Sequence, residues 1–245
     1  MIEWLRIISI FIGFLISIPV FFIGNTLRLL KVGRRLFHVK TRTSPPACLL
    51  DPKYGEHKYM TVNGVKIHYV ESGDVTKPLL LFVHGWPQFW FAWRNQIEHF
   101  NKVLNFDKSL GFQLLFQNYH VVAIDMRGFN DSDKPSGIQN YFVMNMVEDI
   151  RELVTGLGET SFTLIGHDWG GVVCWTFAAF YPQMLKNLII CNLPHPIPFN
   201  EARRGLDQAL KSWYIIFFQV PLLPELNMLA DDIASFNALF KDKPQ

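Results

Sequence analysis

The sequence predicts an α/β protein, a mostly parallel sheet with flanking helices. Three observations predict it. Two alternating runs meet at an Asn-Gly pair, the strongest short-range hairpin signal. Short, wholly apolar runs follow, of the kind buried on both faces of a parallel sheet. Patterns of helical period separate them, as right-handed crossovers between parallel strands require.

Of 245 residues, 49% are hydrophobic and 18% charged, which excludes a disordered or coiled-coil chain. The first segment, residues 1–45, is unlike the rest. Ile7 to Gly24 reads IISIFIGFLISIPVFFIG, eighteen residues without a charge. At about 1.5 Å per residue it reaches roughly 27 Å, enough to cross a thin hydrocarbon layer. It lacks the polar stripe of a core helix, tolerates Pro19 as a membrane helix does, and leaves through GNTLR, a poor signal-cleavage site. A single-pass N-terminal transmembrane helix is the expected element. Arg28, Lys31, Arg34, Arg35, Lys40 and Arg42 follow it, whereas Arg6 before it is opposed by Glu3. The positive-inside rule then puts the remainder in the cytosol, with the endoplasmic reticulum as the default membrane. Ser44-Pro45-Pro46 reads as a short stiff spacer.

The catalytic core is expected over 46–195, with six strands at Lys58–Asn63, Val65–Glu71, Leu79–Val83, Tyr119–Asp125, Phe162–Ile165 and Leu188–Cys191. Trp93, Ile97, Phe100 and Leu104 share one helical face, and Met146, Ile150, Leu153 and Leu157 another. The connection Asn101–Asn118, eighteen residues of mixed polarity, is long for a crossover. A net charge of +2 and the lack of GxGxxG or Walker loops argue against nucleic-acid and nucleotide partners. Cys48, Cys174 and Cys191 are too scattered for a disulfide frame or a zinc site.

Three motifs end three strands. Gly166-His167-Asp168-Trp169-Gly170-Gly171 stands between the fifth strand and the helical run Val172–Tyr181. Small–x–acid–x–small–small is the pattern of a nucleophile elbow, a turn so tight that bulkier neighbours would clash. Its central carboxylate attacks an sp³ carbon well and an amide poorly. The competing role for Asp168, a helix N-cap, does not require three flanking glycines. His84-Gly85-Trp86-Pro87 ends the third strand. There the backbone N–H groups of Trp86 and Trp169 can form an oxyanion hole, and Pro87 fixes the turn, with a cis bond as one route. His84 is read as bracing the loop and not as a base. Asp125-Met126-Arg127-Gly128-Phe129-Asn130-Asp131-Ser132-Asp133-Lys134-Pro135 reads as a hydrogen-bonded loop, its Asn130 sequon a chance match.

From about Pro46 onwards the chain resembles the α/β-hydrolase fold epoxide hydrolases, most closely their membrane-anchored animal branch. PPACLLDP, HGWPQFWFAWRNQI, VVAIDMRGFNDSDKP, LIGHDWGG and CNLPHP carry the resemblance, in the family's order. It implies Asp168 as the nucleophile that opens an epoxide through an alkyl ester, with Trp86 and Trp169 as the oxyanion hole. It implies a helical cap beginning at 196–245, entered through a hinge at His195, in which Tyr214 of SWYIIFFQ protonates the epoxide oxygen. Trp86, Trp169 and Tyr214 would bind the substrate, a small lipophilic epoxide. The resemblance implies no cofactor and leaves the oligomeric state open.

The family's second half-reaction needs a late acid and His, and the only histidine after Asp168 is His195. With the chain ending at Gln245, inside the expected cap, the reading is an incomplete cap and an inactive or single-turnover protein. The strand Leu188–Cys191 would then be an open apolar edge, and the 245-residue form unstable alone. Two alternatives stand beside this reading: a dehalogenase-type hydrolase, which also uses an elbow Asp, and a non-catalytic truncated isoform acting as a membrane-bound interaction protein. A serine esterase is disfavoured because the elbow has no Ser.

Overall fold

The computed structural model describes residues 2–101, 119–198 and 213–240, with backbone alone at 2–14, 16, 17, 213, 216, 235 and 238–240. The chain divides into two compact units, Pro45–Pro196 and a second made of Met1–Ser44 with Ile197–Gln245.

In the Pro45–Pro196 unit, β1 (Glu56–Val62) and β2 (Val65–Gly73) form the expected hairpin. Asn63 and Gly64 turn it with φ of 46° and 74°, the two positive values that a twist-matched two-residue turn demands. β3 (Leu79–Val83), β4 (His120–Ile124), β5 (Phe162–His167) and β6 (Leu185–Cys191) complete a sheet of order β1-β2-β4-β3-β5-β6. The sheet is mixed. β4, β3, β5 and β6 run parallel, as expected, while the hairpin adds antiparallel pairings of β1 with β2 and of β2 with β4. The expectation of a mostly parallel sheet therefore holds for the part that carries the motif loops. β6 starts at Leu185, earlier than its apolar run suggests, and ends the sheet among the described residues.

The central strands are apolar throughout because both faces are covered. Leu79, Leu81 and Val83 point into one core with Val122, Ile150, Leu153, Leu164 and Phe177; Leu80 and Phe82 point the other way, towards Trp90, Trp93 and Ile97. The first face is closed by α3 (Val143–Gly156) and α4 (Trp169–Phe180), the second by α2 (Arg94–Phe100) and the turn Trp90–Trp93 before it. On α3 the expected stripe is present, with Ile150 and Leu153 wholly buried and Met146 and Leu157 partly so. Leu104 and nearly all of the connection 101–118 lie outside the described residues.

The second unit contains α1 (Ile2–Val32), α5 (Trp213–Phe217) and α6 (Leu223–Phe240), the last broken where Asp231, Asp232 and Ile233 take positive φ. Arg35 pairs with Asp231 at 2.7 Å, and Arg42 grips both carboxylate oxygens of Asp232 at 3.0 Å. A cavity of about 440 Å³ is lined by Phe21, Phe22, Leu29, Phe37, Leu226 and Leu229 among others. Among the described residues no helix is long and apolar enough to cross a membrane. Most side chains of the Ile7–Gly24 run lie outside the described residues.

Candidate active site

Asp168 leaves β5 and enters α4 at φ 52° and ψ −123°, a conformation L residues rarely adopt. It occupies the N-cap position, yet its side chain caps nothing. Its backbone oxygen takes the turn's own hydrogen bonds, from the N–H groups of Gly171 at 2.8 Å and Val172 at 3.3 Å. The carboxylate faces the preceding loop instead, where Oδ1 accepts the Trp86 N–H at 3.0 Å. The N–H of Trp169 opens α4, where the first amides have no intrahelical acceptor and the helix dipole favours a negative charge.

Glycine is obligatory at two points of this geometry. A Cβ on Gly85 would stand 2.4 Å from the Asp168 Cβ and 2.8 Å from the His167 carbonyl oxygen. One on Gly170 would meet the carbonyl oxygens of His84 and Val83 at 2.3 and 2.5 Å, so only a bare backbone lets α4 start against the end of β3. The Trp86–Pro87 peptide is cis.

His84 has no free nitrogen for acid–base work. Nδ1–H donates to the Gly85 carbonyl at 2.9 Å, Nε2 accepts the Met126 N–H at 3.1 Å, and the ring is wholly buried. Burial pushes its pKa below the ordinary histidine value, against the opposing pull of the Gly85 bond and Asp125. The ring braces the loop, as its sequence context suggests. His167 is held similarly: Nδ1–H donates to Gln88 Oε1 at 3.0 Å and Nε2 accepts from the Asn192 amide at 3.1 Å. Gln88, Trp93, Gln96, His167 and Cys191 line a cavity of about 240 Å³ beside the elbow. Gln88 and Asn192 fall within the HGWPQFWFAWRNQI and CNLPHP stretches, yet nothing in the sequence alone says that they hold His167.

The loop after β4 is hydrogen-bonded as expected. The Asn130 amide donates to Asp125 Oδ2 at 2.8 Å, which gives the sequon residue a structural use, and Ser132 Oγ–H donates to the Asp125 carbonyl at 2.7 Å. Arg127 forks onto buried Asp149 at 2.6 and 2.5 Å.

The structure thus brings Asp168, Trp86 and Trp169 together. Tyr214 belongs to the other unit, on α5, 36% exposed and edge-on to Phe218 at 5.8 Å between ring centroids. His195 stands edge-on to Trp175, at 4.7 Å between centroids. Cys174 is buried, which pushes its thiol pKa up, while Cys191 is half-buried and Cys48 exposed. Among the described residues no group of three His, Cys, Asp or Glu side chains could hold a metal ion.

A strand-ending carboxylate on a strained bend, facing a backbone N–H from a second strand-end loop, is the arrangement of a nucleophilic hydrolase. The comparisons agree. The model of the alpha/beta hydrolase fold family matches residues 78–240. The chain is 40% identical over 207 residues to human epoxide hydrolase 4, covering 83% of this chain and 53% of that protein. It is 36% identical over 231 residues to epoxide hydrolase 3 of Xenopus tropicalis, covering 91% and 59%. Among solved structures, an epoxide hydrolase from Bacillus megaterium in complex with an inhibitor superposes with a TM-score of 0.66 at 38% identity, over 76% of this chain and 59% of that one. A variant of an epoxide hydrolase from that organism, complexed with its product (R)-3-[1]naphthyloxy-propane-1,2-diol, gives 0.65 at the same identity and coverage. The chain belongs to the α/β-hydrolase fold family and, by homology, to its epoxide hydrolases. It spans about half the length of the curated relatives it matches.

Proposed function

We propose that this chain carries the ester-forming chemistry of an epoxide hydrolase acting on a small lipophilic epoxide. One observation carries the reading: the Asp168 carboxylate caps no helix and is held instead by the Trp86 N–H. A carboxylate oxygen of Asp168 bonds to one ring carbon, the ring C–O bond breaks, and the departing alkoxide takes a phenolic proton, the role that the family resemblance implies for Tyr214. Water then attacks the ester carbonyl. The N–H groups of Trp86 and Trp169 meet the negative oxygen that develops there, the displaced alkoxide leaves as the diol with one proton of the water, and the other proton restores the phenol. No residue is assigned to activating that water.

Intact-mass measurement after exposure to styrene oxide tests the reading. One adduct is expected, mapping to Asp168 and missing from Asp168→Ala; no adduct, or one elsewhere, overturns it. Turnover to diol in the same mixture reads the second step, and loss of halide from a chloroalkane would favour the dehalogenase reading.

We further propose that the run Ile7–Gly24 anchors the protein in the endoplasmic reticulum membrane with the catalytic segment in the cytosol. Its lack of charge and the basic residues after it support this. The full chain should stay with membranes in alkaline carbonate. Phe14→Lys with Leu15→Lys should release it, since each lysine at mid-span costs about 2.5–3.5 kcal/mol of insertion. Release of the unaltered chain would overturn the anchor.

A further inference from the structure

Asp125 is wholly buried, and donors surround its carboxylate: Oδ1 accepts the Trp90 N–H at 2.8 Å, and Oδ2 accepts the Asn130 amide at 2.8 Å and faces His68 Nδ1 at 2.7 Å. His68 is also wholly buried. Its Nε2 lies 2.9 Å from Nδ1 of His57, and His57 Nε2 lies 2.9 Å from the Leu49 carbonyl oxygen.

Counting hydrogens along this line fixes its charge. The Leu49 carbonyl only accepts, so His57 Nε2 carries a hydrogen. The contact between the rings needs one hydrogen, and the contact between His68 and Asp125 needs another. Three hydrogens are required, and two neutral imidazoles supply two. Two imidazoles and a carboxylate therefore hold one extra proton and are neutral as a whole. That neutrality suits a carboxylate without solvent, since an uncompensated buried charge is among the costliest features a fold can carry. Both carboxylate oxygens also accept from neutral donors, the Trp90 N–H and the Asn130 amide, and the extra proton is therefore assigned to the imidazoles.

We propose that His57 and His68 share one proton opposite Asp125, and that this neutral trio positions the loop bearing the Trp86 N–H. Asp125 holds that loop at Trp90, and His84 ties its start to Met126. Between these anchors the Gln88 N–H closes a turn onto the Gly85 carbonyl at 2.9 Å, and the Trp86 N–H reaches Asp168. His68 is thus a positioning residue, acting through Asp125 and Trp90, and its role in the reaction rests on the function proposed above. His57, exposed at the end of the line, is where the shared proton exchanges with water.

Nitrogen-15 NMR of the imidazoles, assigned with His57→Asn and His68→Asn, tests the proton count in the full chain. Three of the four ring nitrogens should carry hydrogen; two would put the proton on Asp125 and overturn the shared charge. His68→Gln should slow single-turnover alkylation by styrene oxide about tenfold at saturation, leaving the half-saturating concentration within about twofold. It should also lower the melting temperature, because Asp125 is left charged and unpaired. Adding Asp125→Asn removes that charge, still offers Trp90 an acceptor, and should restore melting and most of the rate. An unaffected rate in His68→Gln, or a double variant no better than the single one, overturns the positioning role. A wild-type chain that is never alkylated overturns the proposed reaction alone, since the nitrogen count and the melting pair still decide the trio.

Discussion

Asp125 and Asp168 each follow directly on a parallel strand of one sheet, and the fold treats them in opposite ways. Asp125 is buried, with both carboxylate oxygens engaged, and its backbone is ordinary. Asp168 holds a backbone conformation that costs about 1–3 kcal/mol, and it is bound through one oxygen by the Trp86 N–H. A saturated carboxylate is poor material for a nucleophile, because every donor must be given up as its charge moves to the new bond. A strained, sparsely bonded one is ready to react. The difference separates a carboxylate that builds the site from one that works in it.

The comparison breaks first at stability. Asp125→Ala leaves the imidazole proton without its anion and the Trp90 N–H without an acceptor, a change expected to cost about 3–5 kcal/mol. Urea unfolding measures it, and a loss below about 1 kcal/mol would mean that Asp125 is no better bound than Asp168. Gly85→Ala should come next, at about 1–3 kcal/mol, because its methyl would press on the Asp168 Cβ and a backbone oxygen, which cannot swing aside. Alkylation should fall with it, since both sides of the Trp86–Asp168 contact move. Asp168→Gly has the opposite sign: strain is relieved and the chain should gain about 1 kcal/mol while losing all ester formation. A destabilised Asp168→Gly would show that the aspartate is structural after all.

The sequence makes Asp168 legible and Asp125 much less so, for a physical reason. An elbow constrains residue types at fixed spacing: Gly166 and Gly170 are small because the turn leaves no room for a Cβ, and that mark survives in a linear string. The strands are legible likewise, since a double-faced burial demands apolar residues at every position from Leu79 to Val83. The trio of His57, His68 and Asp125 depends on strand register, which brings together one residue of β1, one from within β2 and the residue that follows β4. Period-two patterning puts His68 on the face of Val70, opposite that of Ile67 and Tyr69, but does not say what it meets. The pairing of Arg127 with Asp149, and of Arg35 and Arg42 with Asp231 and Asp232, is hidden for the same reason. β5 runs on to His167 because the backbone ladder continues, Gly166 opposite Ile190 and His167 opposite Cys191, where the apolar run has already ended.

The smallest effect sharpens the comparison, because His84 joins the two aspartate loops through Gly85 on one side and Met126 on the other. Its pKa is lowered by burial, so the folded state holds it neutral while the unfolded chain binds a proton at the ordinary value near 6.5. The stability this contributes is fully present above about pH 6.5 and is lost as pH falls towards the lowered value, with a slope of at most about 1.4 kcal/mol per pH unit. Melting temperatures from pH 7.5 to pH 5, for the wild type and His84→Gln, isolate the contribution of this ring. The wild type should fall more steeply, with the variant less stable at pH 7.5 and the two curves converging towards pH 5. Parallel curves would mean that the folded ring accepts its proton as readily as the unfolded one, and that the brace between the loops does not depend on a neutral imidazole.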